Sequence, residues 1–188
     1  MRASPLPRST LPGRYWIASR LPVRGSGLGG AIVALAILFA PPVRAAEADQ
    51  LIGLFMQGCL PFAGDAQALR KWAAGIGLPA LPPEGQRAFL GNQPGVVFDA
   101  SDPQGKFVVL SGDNGACAAT AEQSAPASMA TELESALTAA GVGFVVKTDA
   151  DNPQDRTLHY RAYQARKGDR SWRIVLSTGA HAMLSASP

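Results

Sequence analysis

The sequence predicts an α+β domain in which N-terminal helices precede an antiparallel sheet of about five to six strands, with one packing helix over residues 128–140. Three observations lead there. Apolar residues up to about residue 90 recur at helical spacing. Beyond residue 95 they gather in short β-branched and aromatic runs, and the connections between those runs are mostly of hairpin length.

The first helix is read from EADQLIGLFMQGCL, where Leu51, Leu54, Phe55 and Gly58 share a face, Asp49 suits the helix dipole and Pro61 stops the run. In GDAQALRKWAAGIGL, Asp65 is placed to cap a second helix with Leu69, Trp72 and Ala73 on one side, ending at Gly75 or Gly77. Pro82-Pro83 opens a short third helix that Gly91 closes. Residues 96–98 and 106–111 are strands around a Ser-Asp-Pro-Gln-Gly turn. Asp113-Asn114-Gly115 then reverses the chain into a strand that presents Cys117. The clearest helix begins at Ser128 as N-cap, puts Met129, Leu133 and Leu137 on one face and stops at Gly141. VGFVVKT is a strand, DADNPQD a loop, and RTLHYRAYQAR with SWRIVLST a hairpin around Lys167-Gly168-Asp169-Arg170. Residues 180–188 are small and polar and read as a flexible tail.

The first 45 residues differ from the rest. They carry six arginines, no acidic residue, and the 13-residue apolar run LGGAIVALAILFA ending at Pro41-Pro42. A membrane-spanning helix needs roughly 20 apolar residues, so the run fits a signal peptide, with the small residues Val43 and Ala45 placing cleavage after Ala45. An uncleaved N-terminal anchor is the alternative. The expected organisation is a signal peptide over 1–45, one domain over 46–179 and the tail. Removing 1–45 changes the charge from +3 (17 basic, 14 acidic) to −3 (11 basic, 14 acidic), which argues against nucleic acid as a partner. The mature chain is expected in the periplasm or secreted, and not membrane-spanning.

Export exposes thiols to an oxidising compartment, and the chain has two, Cys59 and Cys117. A disulfide is the leading reading. A bridge of that loop length contributes about 3–4 kcal/mol. Lipidation of Cys59 is disfavoured, because Glu47, Asp49 and Gln50 separate it from the apolar run. A thiol-dependent enzyme or hydrolase using Cys117 with His159 is the alternative, weakened by the lack of basic neighbours around Cys117. Asp149, Asp151 and Asp155 match three positions of a calcium loop, but Gln154 and Tyr160 stand where it needs glycine and glutamate. No nucleophile elbow, phosphate loop, zinc-protease or dinucleotide motif occurs, so no cofactor and no catalytic residue is assigned.

Residues 156–173 hold six basic residues and one acid, net +5, whereas residues 46–155 hold 5 basic and 13 acidic, net −8. Arg161, Arg166, Lys167, Arg170 and Arg173, interleaved with Tyr160, Tyr163 and Trp172, form a candidate surface for an anionic envelope component or an acidic protein. The competing reading has them serve the domain's own acidic groups. If they form a partner surface, they lie exposed and unpaired on one side of the final hairpin.

Phe89-Leu90, Gly91, Pro94-Gly95 and Phe98, set between Cys59 and the Gly-Ala-Cys strand, resemble small exported two-cysteine proteins of Gram-negative bacteria. The resemblance spans roughly residues 51–118 and implies periplasmic residence and a cysteine pair, with no activity attached. The expected function is therefore that of a non-enzymatic accessory or binding module stapled by one disulfide.

Overall fold

The computed structural model describes residues 43–123 and 125–188. Helix α1 (Val43–Leu54) runs through a π turn (Phe55–Cys59) into a last turn, α2 (Leu60–Phe62). Pro61 does not stop the helix before itself, as the sequence suggested, but lies inside α2. Having no N–H, it cannot donate to the helical ladder, and the chain widens just ahead of it, with the Leu60 N–H reaching back five residues to the Phe55 carbonyl. Asp49 sits mid-helix, since α1 begins earlier than its apolar pattern indicated. In the π turn Gly58 lies against the Trp72 ring, where a Cβ would come within 2.6 Å of ring carbons. Helix α3 (Ala66–Gly75) is capped as predicted, with the Ala68 N–H donating to the Asp65 carboxylate at 2.9 Å. Helix α4 (Pro83–Leu90) buries none of its residues.

Seven antiparallel strands follow: β1 (Gly95–Asp99), β2 (Phe107–Gly112), β3 (Cys117–Ala121), β4 (Gly143–Asp151), β5 (His159–Lys167), β6 (Arg170–Thr178) and β7 (Ala182–Ser187). Helix α5 (Met129–Ala139) joins β3 to β4; Ser128 takes the cap position without a side-chain hydrogen bond. The sheet order is β1-β2-β3-β7-β6-β5-β4, two meanders joined where β3 pairs with β7. The α+β class is as predicted, and the extra strand is β7. Residues 180–188 are thus not a tail: β7 lies between β3 and β6, and Ala182, Leu184 and Ala186 are buried. Its alternation of small residues carries little β-propensity, but at the centre of a sheet partners on both sides supply the hydrogen bonds, and small side chains fit beneath packed helices. The signal segment falls outside the described residues, except that 43–45 belong to the first turn of α1.

The register separates the two faces. One carries Val109, Ala119, Leu184, Ile174 and Tyr163, all fully buried beneath a layer built from α1, the π turn and α5. The other carries Val108, Leu110, Thr120, Met183, Ser185 and Val175, and of the described helices only α4 borders it, at the β1 side. The sheet edges differ too. Residues 79–81 close β1 through the Leu81 N–H to the Val97 carbonyl and the Asp99 N–H to the Pro79 carbonyl, both at 2.8 Å. The β4 edge instead carries a bulge between Val146 and Thr148, with charged Lys147, Asp149 and Asp151.

Candidate functional site

The cysteines are joined: Cys59 and Cys117 form a disulfide with Cα atoms 5.2 Å apart, both buried. The β2–β3 turn docks beside it. Gly115, at φ +83°, accepts a 2.8 Å hydrogen bond at its carbonyl from the Gly64 N–H, and a Cβ on Gly115 would sit 2.9 Å from the Gly64 Cα. Arg70 clamps the same turn, pairing with Asp113 and donating to the Ser111 carbonyl at 3.1 Å. The Asp-Asn-Gly turn therefore both reverses the chain and seats the hairpin on the helices.

The thiol-enzyme alternative finds no support in this arrangement. The Cys117 sulfur is bonded to Cys59, and His159 lies on β5, three strand spacings or about 14 Å across the sheet. His159 is held between two carboxylates of β4, Nδ1 2.9 Å from Asp151 and Nε2 2.7 Å from Asp149. Those bonds, Asp151's first and then Asp149's, favour the imidazolium and raise the histidine's pKa. Arg161 joins Asp149 to Glu134 of α5, and Glu134 accepts from the Tyr163 hydroxyl at 3.2 Å. Burial, then the Glu134 charge, pushes the Tyr163 hydroxyl up to about 12. The chain from Tyr163 to Asp151 is a set of ties holding β4 and α5 to β5. Asp149 and Asp151, two of the would-be calcium ligands, are members of it, and Asp155 accepts the Thr157 N–H within its own turn.

The basic hairpin is not one surface. Arg161, Lys167 and Arg170 point to the helix side of the sheet, Arg166 and Arg173 to the other. Arg161 is ion-paired on both sides, so the expectation that it is exposed and unpaired is corrected. Lys167 donates to the Ala140 carbonyl at 2.8 Å, and Arg170 to the Pro61 and Ala63 carbonyls at 2.7 and 3.2 Å, with its guanidinium 5.0 Å from the centre of the Trp172 ring. Ala140 caps α5, and Pro61 and Ala63 lie at the end of α2. These two cations thus satisfy carbonyls that helix ends leave without partners. Arg166 donates to the Gly168 carbonyl, and Arg173 is exposed. Neither pairs with a carboxylate among the described residues.

The open sheet face carries a feature that sequence reading did not assign. A cavity of about 690 Å³ runs over Val108, Leu110, Thr120 and Met183, between Leu81 and Phe89 on one side and Leu158 on the other. A second, of about 300 Å³, continues over Leu110 and Ala118 to Ser185, and Phe89 and Leu110 line both. Together they form one trough along β2, β3 and β7 beneath Phe89, which is 47% exposed. Charge is confined to one end, where Asp99, Lys106, Glu122 and His181 stand at strand ends. Hydrogen bonding from Ser101, whose N–H donates to the Asp99 carboxylate at 2.9 Å, keeps that carboxyl below the usual range. The backbone there is tied by the Glu122 N–H to the Lys106 carbonyl at 3.1 Å and by His181 Nδ1 to the Glu122 carbonyl at 2.6 Å. One signal was present in the sequence: the unbroken apolar run at residues 107–110 does not alternate, so both of its faces meet apolar surroundings.

No family model, no curated protein and no solved structure matches this chain.

Proposed function

We propose that the protein is an exported, non-enzymatic accessory module of the bacterial envelope that works by binding, and that the trough on the open sheet face is its ligand site. The observation that carries this reading is the sheet's asymmetry. One face is sealed by helices, while the other holds an apolar, aromatic-overhung trough of a size that small-molecule sites have. Export draws support from the arginine-rich leader and from the disulfide. Among the described residues no helix is long and apolar enough to cross a membrane. The segment resembling exported two-cysteine proteins includes both bridged cysteines and Phe89.

Two measurements test the reading. The full chain expressed in a Gram-negative host should be recovered from the periplasm with Ala46 as its first residue. The neutral apolar fluorophore N-phenyl-1-naphthylamine should brighten on the purified protein, and Met183→Arg or Phe89→Ser should abolish that signal at unchanged melting temperature. Cytoplasmic recovery removes the envelope assignment, and fluorescence indifferent to both substitutions removes the trough.

A second observation keeps an anionic partner in view on the same face. Arg166 and Arg173 stand diagonally across β5 and β6, toward solvent. An anionic envelope component or an acidic protein bound there would be lost on Arg166→Ser with Arg173→Ser, and by salt, since exposed charges are screened within about 8–10 Å. Salt-independent binding would rule it out.

A further inference from the structure

We infer that the trough takes an elongated amphiphile with a positively charged amine head, its head beside Asp99 and Glu122 and its apolar body along Val108, Leu110 and Met183 beneath Phe89. This rests on the trough being the ligand site, and adds the ligand's chemical class and direction.

Charge complementarity carries the inference. The side chains lining the trough hold two carboxylates against one ammonium, Lys106, all at the same end, so those charges sum to net negative. Asp99 is fixed as a carboxylate by Ser101, and the Glu122 carboxylate is exposed with no side-chain partner among the described residues. The opposite end is bounded by Gln93, Gly112, Asn114 and Ser185, which are uncharged. Beyond it Arg173, paired across strands with Ser187, extends the gradient to positive on the same face. A cation entering the trough is drawn toward Asp99 and Glu122, whereas a carboxylate or phosphate head is repelled from that end. Between the ends, floor and overhang offer aliphatic and aromatic surface, which favours a hydrocarbon body over a sugar or a peptide backbone needing many hydrogen bonds. Leu81 and Phe89 rim the apolar stretch; Phe89 and, on the floor, Met183 are exposed without a described partner to cover them, which a ligand body would provide.

The test displaces bound N-phenyl-1-naphthylamine with three probes of equal chain length below their micellar concentrations: dodecylamine, dodecanol and dodecanoate. Dodecylamine should displace at concentrations about tenfold below those of dodecanoate, the ratio two exposed charge contacts supply, with dodecanol between. Asp99→Asn with Glu122→Gln should bring the amine-to-carboxylate ratio to one or below, since Lys106 then stands alone, while leaving dodecanol unchanged, and Lys106→Ala in the wild-type background should widen it. Displacement by dodecanol with equal or stronger action of dodecanoate overturns the amine head while leaving the trough as a site. Failure of all three probes to displace a fluorophore that Met183→Arg does abolish overturns the amphiphile. If neither Met183→Arg nor Phe89→Ser affects the fluorophore, the trough reading itself falls.

Discussion

Met183 and Leu184 are neighbours on β7, yet the sheet sends them to opposite worlds. Leu184 is fully buried beneath the helices, opposite Ala119 and Leu176, whereas Met183 is 36% exposed on the floor of the trough. Two apolar side chains of similar size thus do different work. One is part of what holds the domain together, and the other is apolar surface kept open although covering it would be favourable. Stability resides on one face and the candidate site on the other, so the two should separate under mutation.

The largest effect expected belongs to the sealed side. Replacing Cys59 and Cys117 together with alanine opens a loop spanning 58 residues of sequence separation and should cost about 4 kcal/mol, read from urea denaturation of the oxidised and bridge-free proteins. Trough binding should survive in whatever fraction stays folded. Next comes Leu184→Ala, with a loss of about 3 kcal/mol, against Met183→Ala within about 0.5 kcal/mol of wild type. Equal losses at the two positions would erase the distinction between the faces. Gly58→Ala tests the helix layer alone: its Cβ would meet the Trp72 ring, so about 1–3 kcal/mol should be lost, and Trp72→Leu in the same chain should restore part of it. Wild-type stability in Gly58→Ala would mean that the ring moves freely.

The smallest effect is a pH dependence. His159 has a raised folded-state pKa, so its contribution is fully present below the unfolded value of about 6.5 and is lost as pH rises through the higher folded value. It is exposed, and the effect is therefore modest. His159→Gln should flatten the stability curve just above pH 6.5, and a curve of unchanged shape there would show that Asp149 and Asp151 do not hold the charged ring.

How far the sequence could be read follows the same division. Local chemistry was legible: the Asp65 cap, the Asp-Asn-Gly turn, helix α5 and the two strands of the final hairpin all announce themselves through spacing and turn residues. The pairing of Cys59 with Cys117 followed from their number and the expected compartment. What escaped depended on distant neighbours. Pro61 continues a helix because a π turn precedes it, and β7 becomes central because β3 and β6 lie ready on either side. Lys167 and Arg170 looked like a binding ribbon because the helix-end carbonyls they satisfy lie 27 and 109 residues away in sequence. The trough was hidden for the same reason, as its walls come from α4, β2, β7 and the segment before β5.

The position of β7 has a consequence for timing. Residues 182–187 follow every other strand in sequence, yet they supply the seam between the two meanders. Until they emerge, β3 and β6 each have one open flank and the Ala119, Leu176 and Ile174 side chains lack their shared neighbour. A nascent chain can build its hairpins early, but the sheet closes only when its last strand arrives.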